Sequence, residues 1–314
     1  MNNLILRCLF FMLVATDVFA NDSDFYASAR AILGDMVEIE STEEKGLATS
    51  VSQYAESVLL NNGFVEDDLE VVGPAKDSKG LYAIYRGRSS KDPVIVMAHV
   101  DVVPAVKNSW ITDPFKMTEI DGFLHGRGTS DNKAGAAGLV ATFAKLRAEG
   151  FVPQNDIIML LTGDEETGMQ SIRYFKDNYK NVQGAAFALN SDGGYLTGTM
   201  DNPEAFRLQS AEKVYFTVTL TANNRGGHSS IPRRDNAIYD LADAIKKIQE
   251  FDFPISLNQT TRATLEFSMK DANESEKSQM NLILNEVQQE YEVLKKDPEM
   301  NALTRTTCVA TKLK

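Results

Sequence analysis

Cysteine is nearly missing from this chain: 314 residues hold two, Cys8 and Cys308. Cys8 falls inside a leader-like segment, so Cys308 would stand alone in the mature chain and no internal disulfide is available. Positive charge is also in deficit, with 32 Lys and Arg against 44 Asp and Glu and a formal net charge of −12. That balance argues against a nucleic-acid or anionic-membrane surface. Beyond the first twenty residues no apolar run is long enough to cross a bilayer. Repeats, low-complexity tracts, a phosphate-cradling glycine loop and an aromatic sugar platform are all missing; the single tryptophan, Trp110, reads as part of a packed loop with Pro114 and Phe115. Histidine is scarce, at positions 99, 125 and 228.

What remains is a globular composition, 43% hydrophobic and 24% charged, long enough for one large domain or two ordinary ones. Residues 1–20 combine Arg7, an apolar run from Cys8 to Ala15, and small residues ending at Ala20. This is the three-part pattern of an export signal, so the mature protein is expected in a periplasm-like space or outside the cell. Apolar spacing predicts helices over Asp24–Ile39, Leu47–Asn61, Asp131–Gly150 and Gln170–Tyr179. Strands are predicted over Leu81–Tyr85, Val94–Ala98, Asp156–Leu161 and Ala185–Leu189. Such alternation implies an α/β fold, a mostly parallel sheet with helices on both faces, whose ligand site lies beyond the carboxyl ends of the strands. The texture changes near Asp201. Val214 to Leu220 alternates like a half-solvated strand, a helix is expected over Asn236–Gln249, helical spacing links Met280, Leu284, Val287, Tyr291 and Leu294, and Ala302–Leu313 reads as a strand. The expected division is therefore a signal at 1–20, a catalytic metal-binding domain at 21–205, and a smaller α+β domain at 206–314.

Four acids and one imidazole stand close after strand ends or before helices: His99, Asp131, Glu165, Glu166 and Asp192. Each has a bland reading by itself. His99 with Asp101 could be a buried histidine and its counter-ion, Asp131 a helix cap, Glu165–Glu166 a charged turn, and Asp192 a turn residue. Their joint placement points instead to a metal centre, because imidazole and carboxylate are the ligand types that hold zinc or manganese. Adjacent acids allow one to coordinate while the other removes a proton from water whose pKa a metal has lowered toward about 7. Asp101 would orient the His99 ring. Arg127 and Lys133 beside these acids read as charge balance, and His125 as a loop residue.

Five ordered stretches carry a resemblance: Met97-Ala-His-Val-Asp-Val-Val-Pro104, Gly126-Arg-Gly-Thr-Ser-Asp-Asn-Lys133, Gly163-Asp-Glu-Glu166, Ser191-Asp-Gly-Gly194 and Arg225-Gly-Gly-His-Ser-Ser230. From about Asp24 onward the sequence resembles the zinc-dependent aminoacylases and carboxypeptidases that include acetylornithine deacetylase, succinyl-diaminopimelate desuccinylase and glutamate carboxypeptidase. It looks most like their secreted carboxypeptidase and N-acyl-amino-acid hydrolase members. The resemblance implies two divalent metal ions, zinc by preference. His99 and Asp192 would hold one, Asp131 would bridge both, and Glu166 would hold the second. It implies Glu165 as general base, Asp101 as the orienting partner of His99, and His228 as the residue that stabilises an oxyanion across a homodimer built through the second domain. The implied reaction is hydrolysis of an amide in a small peptide or N-acyl amino acid.

The pattern is incomplete in one respect. The resemblance implies a further metal histidine in a catalytic domain that resumes after the second domain, and no fourth histidine is present. An incomplete catalytic domain, with an exposed sheet edge, is therefore expected. The rival expectation is a truncated, non-catalytic remnant that binds metal or dimerises.

Overall fold

A computed structural model describes residues 22–199, 202–270, 272–285 and 296–314. The expected signal over 1–20 lies outside this range, as do Val287, Tyr291 and Leu294. The chain divides into two compact units, up to Arg207 and from Leu208 onward.

In the first unit helices α1 (Asp22–Glu38) and α2 (Ala48–Asn61) precede strands β1 (Leu69–Val72), β2 (Gly80–Tyr85) and β3 (Ser89–His99). A small hairpin, β4 (Thr118–Ile120) and β5 (Phe123–His125), leads to α3 (Lys133–Ala148). Then come β6 (Asn155–Thr162), α4 (Gln170–Asn178), α5 (Lys180–Gln183), β7 (Phe187–Asn190) and the hairpin β8 (Tyr195–Gly198) and β9 (Pro203–Arg207). The central sheet has the order β1-β2-β6-β3-β7. β3 runs parallel to both β6 and β7, while β2 is antiparallel to β1 and β6, so every strand except β2 points the same way. The mostly parallel α/β sheet expected from the pattern is the sheet observed.

Two cores follow from the alternation of side chains along each strand. Leu81, Ala83, Tyr85, Ala98, Met159 and Leu161 face one way, against Met36, Val51, Leu59, Val140 and Phe143 of α1, α2 and α3. Tyr82, Ile84, Ile95, Ile158 and Leu160 face the other way, against Phe175 of α4 and Val182 of α5. Helices thus cover both faces, which explains why β2 and β6 read as unbroken apolar runs. Among the described residues β7 pairs with β3 alone; its Phe187 and Leu189 are 54% and 50% exposed. His125 closes β5, paired with Thr118, and so belongs to a strand rather than a loop.

The second unit contains α6 (Ala237–Glu250), α7 (Gln259–Ser268), α8 (Glu274–Leu284) and α9 (Pro298–Thr304), with a small core of Ile255, Leu265 and Ile283. Two expectations fail here. Val214 to Leu220 forms no strand, because no described segment offers it a ladder; Val214 is 93% exposed. Ala302–Leu313 is not a strand either. Its start is claimed by α9, where the Asp297 side chain accepts the Met300 N–H and Pro298 opens the helix, and one bridge joins Arg305 to Ile255. Among the described residues, no helix is long and apolar enough to cross a membrane.

Candidate metal centre

The parallel strands β3, β6 and β7 end at one rim of the sheet, and each delivers a candidate residue within a few positions. His99 is the last residue of β3, Glu165–Glu166 follow β6, and Asp192 follows β7. Asp131 lies just before α3. The structure brings these groups together. His99 Nε2 lies 2.7 Å from Asp131 Oδ1 and 3.6 Å from Asp192 Oδ1. His99, Asp131 and Asp192 offer donor atoms all within 4.8 Å of one another, and so do His99, Glu165 and Glu166. His228 lies in the second unit, where its Nδ1 contacts Ser230 Oγ at 2.8 Å.

The orientation of the imidazole is set by its other nitrogen. His99 Nδ1 is 3.0 Å from the main-chain oxygen of Asp101, which can only accept, so Nδ1 carries a proton. Nε2 is then the nitrogen that faces the two carboxylates, protonated where it meets Asp131 and able to give its lone pair to an ion that displaces that proton. Asp101 was expected to orient the ring, and the closer contact to Nδ1 comes from its backbone. The Asp101 carboxylate stands farther off, at 3.5 Å, and its oxygens accept the N–H groups of Glu165 at 3.1 Å and Glu166 at 2.9 Å. One residue therefore holds the ring with its backbone and the acidic turn with its side chain.

The electrostatics suit a cation. Burial acts to lower the His99 pKa, but Asp101, Asp192 and Asp131 outweigh it and raise it to about 9. Glu165 is pushed up first by burial and then by Asp192, Glu166 and Asp101; Glu166 is pushed up by burial and then by Asp131. Carboxylates that hold a proton on the imidazole form a donor set in which a divalent ion can take that proton's place, so the residues fit a metal. Asp131 and Asp192 are more exposed than the buried ring, which leaves the carboxylate side open to solvent.

Neighbouring residues have different tasks from those the motifs suggested. Asp164, between Gly163 and Glu165, turns away and accepts the N–H groups of Gln170 and Ser171, fixing the start of α4. Gly163 is required because a Cβ there would press on the backbone oxygens of Ser78 and Lys79. Arg127 stacks on Trp110, 5.2 Å from the ring centroid, instead of balancing charge at the acids. Lys133 is fully buried and donates to the carbonyls of Met36 at 2.8 Å and Ile39 at 2.7 Å, at the end of α1. Burial pulls its pKa down to about 7 against the attraction of Asp101 and Glu40. Exchanging Lys133 for methionine would leave those carbonyls without a donor and is expected to cost about 2 kcal/mol. The check is the urea midpoint at constant m-value, and an unchanged midpoint would contradict it.

A cavity of about 500 Å³ has Asp101 in its wall with Thr42, Asp77, Gly163 and Gln170, but neither His99 nor Asp131 nor Asp192 lines it. It adjoins the cluster without containing it.

A profile of the peptidase family M20/M25/M40 matches residues 95–307. The chain belongs to this family. The matched span contains all seven candidate residues, and the family is the one the five motifs resemble. Among curated relatives, the zebrafish N-fatty-acyl-amino acid synthase/hydrolase PM20D1.1 (Danio rerio) is 30% identical over 248 residues, covering 77% of this chain and 48% of its own. Human PM20D1 of the same description is 28% identical over 236 residues, covering 71% and 45%. A probable succinyl-diaminopimelate desuccinylase of Staphylococcus aureus is 28% identical over 236 residues, covering 73% and 52%. The chain spans about half the length of these curated relatives. The solved structure of the Saccharomyces cerevisiae di-peptidase Dug1p aligns over 58% of this chain and 42% of its own, at 20% identity and a TM-score of 0.49.

Sequence reasoning missed Asn132 and Ser191, which lie inside two of the motifs but next to the expected ligands. A single sequence does not separate a residue that ligates from the one beside it.

Proposed function

We propose that the chain is a metal-dependent hydrolase that cleaves an amide bond of a peptide or an N-acyl amino acid. The observation that carries this reading is the approach of the Asp131 and Asp192 carboxylates to Nε2 of His99. In this reading His99 and Asp192 hold one divalent ion, Asp131 is shared with a second, and Glu166 serves the second; zinc is the ion we assign. When bound, such ions supply Lewis acidity to a carbonyl oxygen and lower the pKa of water toward about 7. Glu165 performs the proton transfer, taking a proton from the attacking water and returning it to the leaving amine nitrogen. Asp101 accepts the main-chain N–H groups of both glutamates and so fixes the turn that carries base and ligand. His228 of a second copy, in a homodimer made through the second unit, donates to the oxygen on which negative charge develops.

The names of the relatives support the substrate class, since they refer to N-fatty-acyl-amino acids and succinyl-diaminopimelate, both acylated amino acids. The leader pattern over residues 1–20 supports export to a periplasm-like or extracellular space.

The test is a panel of N-acyl amino acids and dipeptides incubated with the zinc-loaded chain, assayed for released amine. Release that a chelator abolishes and added zinc restores is expected. The same ion should stabilise the fold, by about 2.7 kcal/mol at a hundredfold excess over Kd. No release from a folded chain with measured zinc bound would refute the catalytic reading.

A further inference from the structure

Asn132 is the N-cap residue of α3, yet its side chain makes no capping hydrogen bond to that helix. An asparagine at this position ordinarily accepts from the N–H groups of the first turn. Here its Oδ1 accepts instead from Ser191 Oγ at 3.3 Å, a residue 59 positions away in sequence. Asn132 is 1% exposed, and its Nδ2 has no hydrogen-bond partner. The contact forms in a gap left by a glycine: a Cβ on Gly135 would overlap both Ser191 Oγ and Asn132 Oδ1.

The position of this contact is what gives it meaning. Asn132 directly follows Asp131, and Ser191 directly precedes Asp192. Ser191 is also held by its own N–H, which donates to Met97 O at 2.9 Å, two residues before His99. The hydrogen bond therefore joins the turn that carries one carboxylate to the loop that carries the other, and the loop is anchored on the strand that carries the imidazole. The ring holds Asp131 at 2.7 Å but stands 3.6 Å from Asp192, and the two like charges repel, so a restraint on the backbone that carries them helps keep both converged before an ion arrives.

We infer that Asn132 and Ser191, meeting across the gap at Gly135, form a latch that positions the Asp131 and Asp192 carboxylates around His99 and so sets the divalent-metal affinity of that trio. The latch rests on the reading of the three residues as one metal site. Neither latch residue touches the ion; both are positioning residues, and the latch raises affinity by removing the reorganisation that two separately mobile loops would need.

The experiment uses the 314-residue chain with Ser191→Ala, Asn132→Ala, the double variant, and Asp192→Asn as the ligand control. Zinc affinity is read by competition with a chromophoric chelator, coordination by the visible spectrum of the cobalt-loaded proteins, and folding by urea unfolding in EDTA. Each single latch variant is expected to bind zinc about 10- to 100-fold more weakly, with an altered cobalt spectrum and an unchanged urea midpoint. The double variant should lose no more than the worse single, since both remove one contact. Parental zinc affinity and cobalt spectrum in Ser191→Ala, while Asp192→Asn is impaired, would overturn the latch and leave the metal site standing. Additive losses in the double variant would also overturn it. A parent chain that binds no zinc, or an Asp192→Asn variant that binds it as the parent does, would remove the metal reading and the latch together.

Discussion

Exchanging His99 for alanine is expected to abolish specific zinc binding and to lower amide hydrolysis by about 10³-fold or more, because the water is no longer activated near neutral pH. His99 is the common member of both groups of converging donors, so no other single change disturbs both. Its ring is buried, held at Nδ1 by a backbone oxygen, and aimed by Nε2 at two carboxylates. Alanine leaves those acids repelling one another with no imidazole between them. The measurement is zinc stoichiometry after dialysis together with the rate of amine release. Undiminished stoichiometry in His99→Ala would mean that the ion sits elsewhere.

The second large effect concerns Glu165. Replacement by glutamine keeps the shape and the backbone N–H bond to Asp101 but removes the group that accepts a proton. The turnover number is expected to fall about 10²- to 10⁴-fold, with KM and zinc content close to parental. Loss of zinc in this variant would reassign Glu165 as a ligand, and parental turnover would show that another group moves the proton. The pair Glu165–Glu166 makes this worth testing in both members, because Asp101 holds their two N–H groups at nearly equal distance. Glu166→Gln, by contrast, should lose metal.

Most of the first unit could be read from apolar spacing. β2, β3, β6 and β7 and helices α1 to α4 lie where the periodicity predicts them, since strands buried on both faces and helices with one apolar stripe leave strong local signals. β1 was missed because Leu69–Val72 is short and includes a glutamate, and the hairpin of β4 and β5 because each strand has only three residues. The second unit was read less well. Val214 to Leu220 has the alternation of a strand, but a strand also needs a neighbour, and alternation says nothing about that. At Asp297–Pro298 the sequence carries a capping signal for the helix that takes up the start of the expected strand.

The candidate site divides in the same way. The sequence by itself determined the family, the strand ends on which the candidate ligands sit, and the identities of the imidazole and the acids, because motif order and apolar periodicity are properties of the chain taken in one dimension. Only the tertiary structure decided that Asp101 holds the ring by its backbone and the acidic turn by its carboxylate, that Lys133 caps α1, and that Asn132 meets Ser191 across Gly135. Apart from the ring and its own neighbour Asp101, those partners stand 64, 97 and 59 positions apart. A hydrogen bond of that span depends on two segments packing within about 3 Å, and no local propensity encodes that distance.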